Sequence, residues 1–332
     1  MNCELKIVNC ELKSLFQIER KGPKGLIAAE WVIVAYTVLT LVLILFTWTR
    51  QPDPAPMLWG RFHAMTSLLA LWAVYRMVPC RFTMLCRVAL QLAMLSWWYP
   101  DTYSLNRIFP NLDHLFASLE QSLFGCQPAL LFSEWLTWPV WSELMYFGYS
   151  SYFLLMVIVT LYYFFQRYHE FLRTAFVILA SFFLFYTIFV FLPVTGPQYY
   201  YLAVGTDAIR QGLFPAVGDY FLTHDTMMTM PGWSDGWFYQ FMQHAHATGE
   251  RPTAAFPSSH VGITVVLLLL ALRTGSRRLL LTIFIPLVLM CLATVYIRAH
   301  YAIDVIAGLA IGILFYFLLQ ALYPRESFSA KK

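Results

Sequence analysis

Phe256-Pro257-Ser258-Ser259-His260-Val261-Gly262-Ile263-Thr264-Val265-Val266-Leu267-Leu268-Leu269-Leu270-Ala271-Leu272 decides how this chain is read. Proline suits the first turn of a helix and serine its N-cap, and the run after His260 is apolar to Leu272. Arg273, Arg277 and Arg278 close it; further apolar runs cover 279–297 and 301–323. Between those two stands Arg298-Ala299-His300-Tyr301-Ala302-Ile303-Asp304. Successive membrane helices alternate in direction. The start of the first run and the junction of the other two therefore share one face, and His260 comes near His300.

Working outward, five more segments have the length of about 20 apolar residues that spans a bilayer: 26–48, 57–78, 82–98, 145–165 and 171–192. The second and third are the weakest, because Arg61, His63, Arg76 and Arg87 interrupt or flank them. Hydrophobic residues make up 59% of 332 and charged residues 12%, with mean hydropathy +0.60. A soluble domain carries roughly a quarter charged residues, so the expectation is an all-α, polytopic membrane helical bundle of about eight spans. The net charge of +4 is no nucleic-acid signal, and the bilayer is the partner implied.

With the N-terminus inside, 16 basic residues fall on the inner side and 6 on the outer, together the 22 of the chain. The positive-inside rule then predicts an inner or plasma membrane protein with both termini cytoplasmic and the active site extracytoplasmic. Two long loops, 99–144 and 193–256, would face outward. Within the first, Leu112, Leu115, Phe116, Leu119 and Leu123 form a helical stripe with acids and serines opposite, suited to lying flat in the interface. Near the N-terminus, Asn2-Cys3-Glu4-Leu5-Lys6 recurs as Asn9-Cys10-Glu11-Leu12-Lys13. We read residues 1–25 as a cytoplasmic tail whose repeat is a start-site artefact or a loose end. The six cysteines, without a Cys-x-x-Cys pair, read as membrane thiols.

The chemistry that this histidine pair suits is phosphoryl transfer. His300 and Asp304, four apart on a helix, share a face. A carboxylate there accepts the imidazole Nδ1–H, fixes the tautomer and leaves Nε2 to attack phosphorus. His260 then protonates the leaving alcohol. Ser258, Ser259 and the N–H groups at the helix start would hold phosphate oxygens, and Arg298 would add a charged clamp. Ligand type alone also allows zinc on His260, His300 and Asp304. Pro-Ser-Ser-His makes better sense as a phosphate cradle, so no metal or cofactor is expected.

These motifs resemble those of the type-2 phosphatidic acid phosphatase superfamily, which also includes vanadium haloperoxidases. That family carries Lys-x6-Arg-Pro, then Pro-Ser-Gly-His, then Ser-Arg-x5-His-x3-Asp. Pro257-Ser258-Ser259-His260 matches the second with Ser259 for Gly, and His300-x3-Asp304 the end of the third, followed by Val305-Ile306-Ala307-Gly308. The resemblance implies a six-helix core, a phosphohistidine on His300, His260 as acid and Ser258 as phosphate ligand. Ala293 and Thr294 replace the third motif's Ser-Arg. No lysine lies between Lys24 and Lys331; His244-x6-Arg251-Pro252 mimics the first motif's spacing, and Arg251 is a phosphate-binding candidate on that spacing alone.

Further segments resemble the inositol-phosphorylceramide synthase-like branch: Asp113-His114-Leu115 to Glu120, Trp141-Ser142-Glu143-Leu144, and Leu192-Pro193-Val194-Thr195-Gly196-Pro197-Gln198, with Gln198 where arginine is often found. The implied organisation is accessory helices over 26–99, a phosphatase or phosphotransferase core over 100–323 and a cytoplasmic tail over 324–332. A lipid phosphate phosphatase is the first expectation, acting on a phospholipid, isoprenoid or sphingolipid phosphate. A phosphotransferase moving a head group between lipids shares its first half-reaction, and a non-catalytic lipid-binding protein is the third alternative.

Overall fold

The computed structural model describes residues 15–20, 22–51 and 53–323, without the side chains of 246–249. The tandem repeat over 2–13, with Cys3 and Cys10, and the tail over 324–332 lie outside the described residues. Among the described residues all regular elements are helical apart from an isolated bridge between Ile18 and Cys80. Four helices come first: α1 (Ala28–Phe46), α2 (Pro54–Met77), α3 (Arg81–Ala93) and α4 (Leu95–Asn106). Short α5 (Asp113–Phe124) and α6 (Pro128–Trp135) lead into α7 (Pro139–Ser150), α8 (Tyr152–Gln166) and α9 (Tyr168–Phe191). Small α10 (Pro197–Val204), α11 (Thr206–Arg210) and α12 (Trp237–Gly249) punctuate the long loop. The chain closes with α13 (Ser259–Thr274), α14 (Arg277–Tyr296) and α15 (Ala302–Leu322).

Every expected span contains helix, but not every helix is a full span. By length and apolarity α1, α9, α14 and α15 are suited to crossing a membrane, and α7 with α8, bent by 46°, is up to a fifth. The other expected segments fall short of that length and apolarity for local reasons. Arg61 sits inside α2; α3 and α4 divide the third segment at Met94; α13 has 16 residues, about 24 Å at 1.5 Å each. The buried arginines are neutralised between helices. Arg87 on α3 grips Glu30 on α1 at 2.8 and 2.5 Å, both side chains fully enclosed. Arg61 on α2 makes a two-pronged pair with Asp101 on α4 at 3.1 and 2.7 Å. Two-pronged guanidinium–carboxylate geometry satisfies several donors at once, which makes such burial tolerable.

The most enclosed span is α9, packed by α1, α4, α8, α13 and α15. The leucines of α5 turn outward (Leu115, Leu119 and Leu123 are exposed) while Asp113, Ala117 and Glu120 are buried. This reverses a water-soluble amphipathic helix and is the arrangement that an apolar surround requires.

The closest backbone approach joins α13 to α15. A Cβ on Gly308 would stand 2.6 Å from the Ser258 carbonyl oxygen, and one on Gly312 2.4 Å from that of Gly262. Gly308 and Gly312, four apart on one face, let two helix backbones touch where any side chain would hold them apart. The Ser258 N–H donates to the Asp304 carbonyl at 3.0 Å, so the two histidine motifs are joined directly by main chain.

Candidate active site

Ser258 is the N-cap of α13, its hydroxyl accepting from the Val261 N–H at 3.4 Å, and it is fully buried. Ser259 and His260 follow in the first helical turn. The His260 ring packs between Tyr149 and Tyr152, each centroid 4.4 Å away, and meets the His300 ring edge-on at 5.8 Å. His300 lies in the short link between α14 and α15, nearly fully buried. Four of the expected site residues, Ser258, Ser259, His260 and His300, therefore converge with Asp304 at one end of α13, α14 and α15.

The orientation of His300 differs in detail from the expectation. Its Nδ1 is 2.7 Å from the Ala255 carbonyl oxygen, and a carbonyl only accepts, so Nδ1 carries the proton. Asp304 Oδ2 is further away, at 3.6 Å, and takes its short bond from the Tyr301 N–H at 2.8 Å, capping α15. Ala255 thus fixes the tautomer, while Asp304 fixes the turn that carries the histidine. Burial pulls the His300 imidazole down to about 4, against the Ala255 hydrogen bond and the Glu250 charge, which favour the protonated ring. The ring is neutral near pH 7, and its Nε2 lone pair is free of a proton.

The two arginines expected at the phosphate are elsewhere. Arg298 adopts a left-handed backbone conformation, φ 66°, and its guanidinium bonds Ser133 of α6 at 3.0 Å. Arg251 pairs with Asp225 at 3.2 Å in a neighbouring cleft of about 620 Å³ that also holds Arg107 and Asp101. His260 and Ser259 instead line a cavity of about 350 Å³, walled by Tyr99, Tyr149, Tyr152, Phe182, Tyr186 and Met242. Among the described residues no Lys or Arg lines it; Glu250 supplies its acid. Ser96 and Pro100 of α4 line both hollows and divide them.

Several residues that shape the site entered the sequence reading only within the segments of the branch resemblance, with no site role. Asp113, fully buried on α5, accepts from the Thr195 N–H (2.7 Å), the Thr195 hydroxyl (2.8 Å), the Gly196 N–H (2.8 Å) and the Tyr301 hydroxyl (3.0 Å). One carboxylate so ties the Pro193–Pro197 bend to the His300 link. Gly196, at φ 91°, is wedged in that bend; a Cβ there would stand 2.6 Å from the Ala299 carbonyl oxygen. Glu120 accepts from the Ile303 N–H at 3.2 Å, and burial pushes its carboxyl up to about 8. Farther out, Glu143 accepts from the Phe238 and Tyr239 N–H groups at 3.0 and 3.1 Å. It caps α12 and holds it over the cavity. An acid seven residues after another on an otherwise apolar, outward-facing helix was the available signal for Asp113 and Glu120. Ala255 and Glu250 carried none.

A family model described as the PAP2 superfamily matches residues 114–318, from the first turn of α5 through most of α15. No curated protein and no solved structure gave a match. Several helices are long and apolar enough to cross a membrane, and the family's chemistry is of the phosphatase or phosphotransferase type. The chain is an integral membrane protein that belongs to the PAP2 superfamily.

Proposed function

We propose that the protein is a membrane lipid phosphate phosphatase that works through a phosphohistidine on His300. The observation that carries this reading is the His260–His300 pair, rings 5.8 Å apart, with the His300 tautomer fixed by the Ala255 carbonyl. His300 Nε2 attacks phosphorus, the bond from phosphorus to the lipid oxygen breaks, and His260 gives its proton to that oxygen. Water then attacks the phosphohistidine, His260 takes its proton, and phosphate leaves. The N–H groups at the start of α13, with Ser258 and Ser259, bind the equatorial oxygens. When an alcohol replaces water in the second step, the same site is a phosphotransferase. Asp304 and Glu120 position the His300 link through its main chain, and Asp113 through the Tyr301 hydroxyl, rather than touching substrate. The site would lie on the outer face, the side to which the charge distribution of the sequence assigns this end of the bundle.

The test is turnover by purified protein offered phosphatidate, polyprenyl diphosphate and phosphatidylinositol, with and without diacylglycerol or ceramide. His300→Ala should abolish turnover and the acid-labile phosphoenzyme. His260→Ala should slow turnover by about 10²–10⁴-fold. Phosphate release independent of added alcohol indicates hydrolysis, and a new phosphorylated lipid indicates transfer. Full activity in His300→Ala would overturn the mechanism.

A further inference from the structure

The cavity beside His260 has the wrong charge for an ordinary anionic lipid. Glu250, just after α12, lines it, and its field reaches His300. Tyr99 donates its hydroxyl to Glu250 at 3.3 Å, and Gln198 reaches the same carboxylate oxygen at 3.5 Å. Four tyrosines and two phenylalanines stand among the other lining residues. Lysine is absent between Lys24 and Lys331, and Arg298 and Arg251 bond to Ser133 and Asp225. A phosphoester placed against His260 would thus face the Glu250 carboxylate, with His260 the one basic side chain among the described lining residues and its proton committed to the leaving oxygen. Like charges so juxtaposed oppose binding unless the substrate brings its own cation. A carboxylate among aromatic faces is also the chemistry that holds an ammonium group.

We propose that Glu250, with the aromatic wall, is an ammonium subsite, and that the substrate is a zwitterionic phospholipid whose amino-alcohol head group places its nitrogen two carbons from a phosphoester oxygen. The proposal rests on the phosphohistidine reading; because this substrate is a phosphodiester, diacylglycerol leaves first and amino-alcohol phosphate, in place of phosphate, is what His300 passes on. The ammonium seats at Glu250 and the phosphate at the α13 N-terminus. The lipid chains leave past Phe153, which lines the cavity and is exposed on the outside of α8. His300 Nε2 attacks phosphorus, the bond to the diacylglycerol oxygen breaks, and His260 protonates that oxygen. Amino-alcohol phosphate remains on His300 until water or an alcohol displaces it and gives up its proton to His260.

Two arms test this. In the first, the full chain in detergent is offered phosphatidylethanolamine, phosphatidylcholine, phosphatidylglycerol, phosphatidylinositol and phosphatidate. A zwitterionic lipid should exceed the anionic ones by about tenfold or more in kcat/KM, a preference that Glu250→Gln removes and Glu250→Asp retains. The ethanolamine and choline lipids distinguish a primary from a quaternary ammonium. In the second arm, His300→Ala protein is titrated with phosphoethanolamine and with glycerol phosphate, and binding is read without turnover. Phosphoethanolamine should bind about tenfold tighter, and Glu250→Gln on that background should remove the difference. Preference for an anionic lipid, phosphatidylinositol included, or a ratio unmoved by Glu250→Gln, overturns the subsite. If no lipid is turned over and no phosphohistidine forms, the catalytic reading fails while the binding arm still decides the subsite.

Discussion

Gly312→Ala is the sharpest perturbation of the active site that touches neither histidine. A Cβ at Gly312 would stand 2.4 Å from the Gly262 carbonyl oxygen and 2.9 Å from its Cα, both main-chain atoms of α13. Ordinary contact begins at 3.4 Å, so α13 must withdraw by about 1.0 Å, the difference between 3.4 and 2.4 Å. His260 rides in the first turn of α13, and His300 directly precedes α15. A displacement of about 1 Å between reacting groups costs on the order of 10²-fold in rate. Overpacking costs about 1–3 kcal/mol in stability, too little to unfold a well-packed bundle. The assay is turnover together with the thermal midpoint in detergent. Gly25→Ala, whose Cβ would meet nothing within 4 Å, serves as the control. Turnover for Gly312→Ala within about twofold of the parent would refute the claim that this contact sets catalytic geometry.

Three further outcomes are expected. Glu30→Ala should destabilise the protein by about 3–5 kcal/mol, because it leaves the enclosed Arg87 charge unpaired; denaturation in detergent measures this, and Arg87→Met in the same chain should recover much of it. Asp113→Ala orphans the buried Thr195 and Gly196 N–H groups, each worth about 1–3 kcal/mol, and should lower both stability and turnover in the same two assays. Glu120 has a folded-state value near 8, above its unfolded one. Its contribution is therefore complete below the unfolded carboxylate value and lost as pH rises through about 8. The thermal midpoint should fall along that window in the parent chain and stay flatter in Glu120→Gln.

What could be read from the sequence divides along physical lines. The helices were visible because apolar runs and their punctuation are local, and the His260–His300 pairing followed from counting spans. Side-chain direction was not visible. Arg298 stands two residues from His300, yet its left-handed backbone sends the guanidinium to Ser133. Arg251 matched a spacing and pairs with Asp225 in another cleft. Ala255 matters through its carbonyl, and a main-chain atom leaves no mark in the amino-acid sequence. Asp113 acts on Thr195, 82 residues away, across a fold that must exist before the contact can be inferred. Arg61 and Arg87 visibly interrupt apolar segments, but their partners Asp101 and Glu30 are remote in sequence.

The α4 helix lies before residue 114, where the family match begins. Even so, Leu95, Ser96, Tyr99 and Pro100 form one side of the cavity at His260. The family-matched region and the lining of this cavity therefore have different borders along the chain. A chimaera joining foreign N-terminal helices to residues 113–323 would inherit the histidine chemistry and exchange part of the substrate-facing wall. Selectivity in such a protein can drift by changes in helices that a comparison of motifs never inspects.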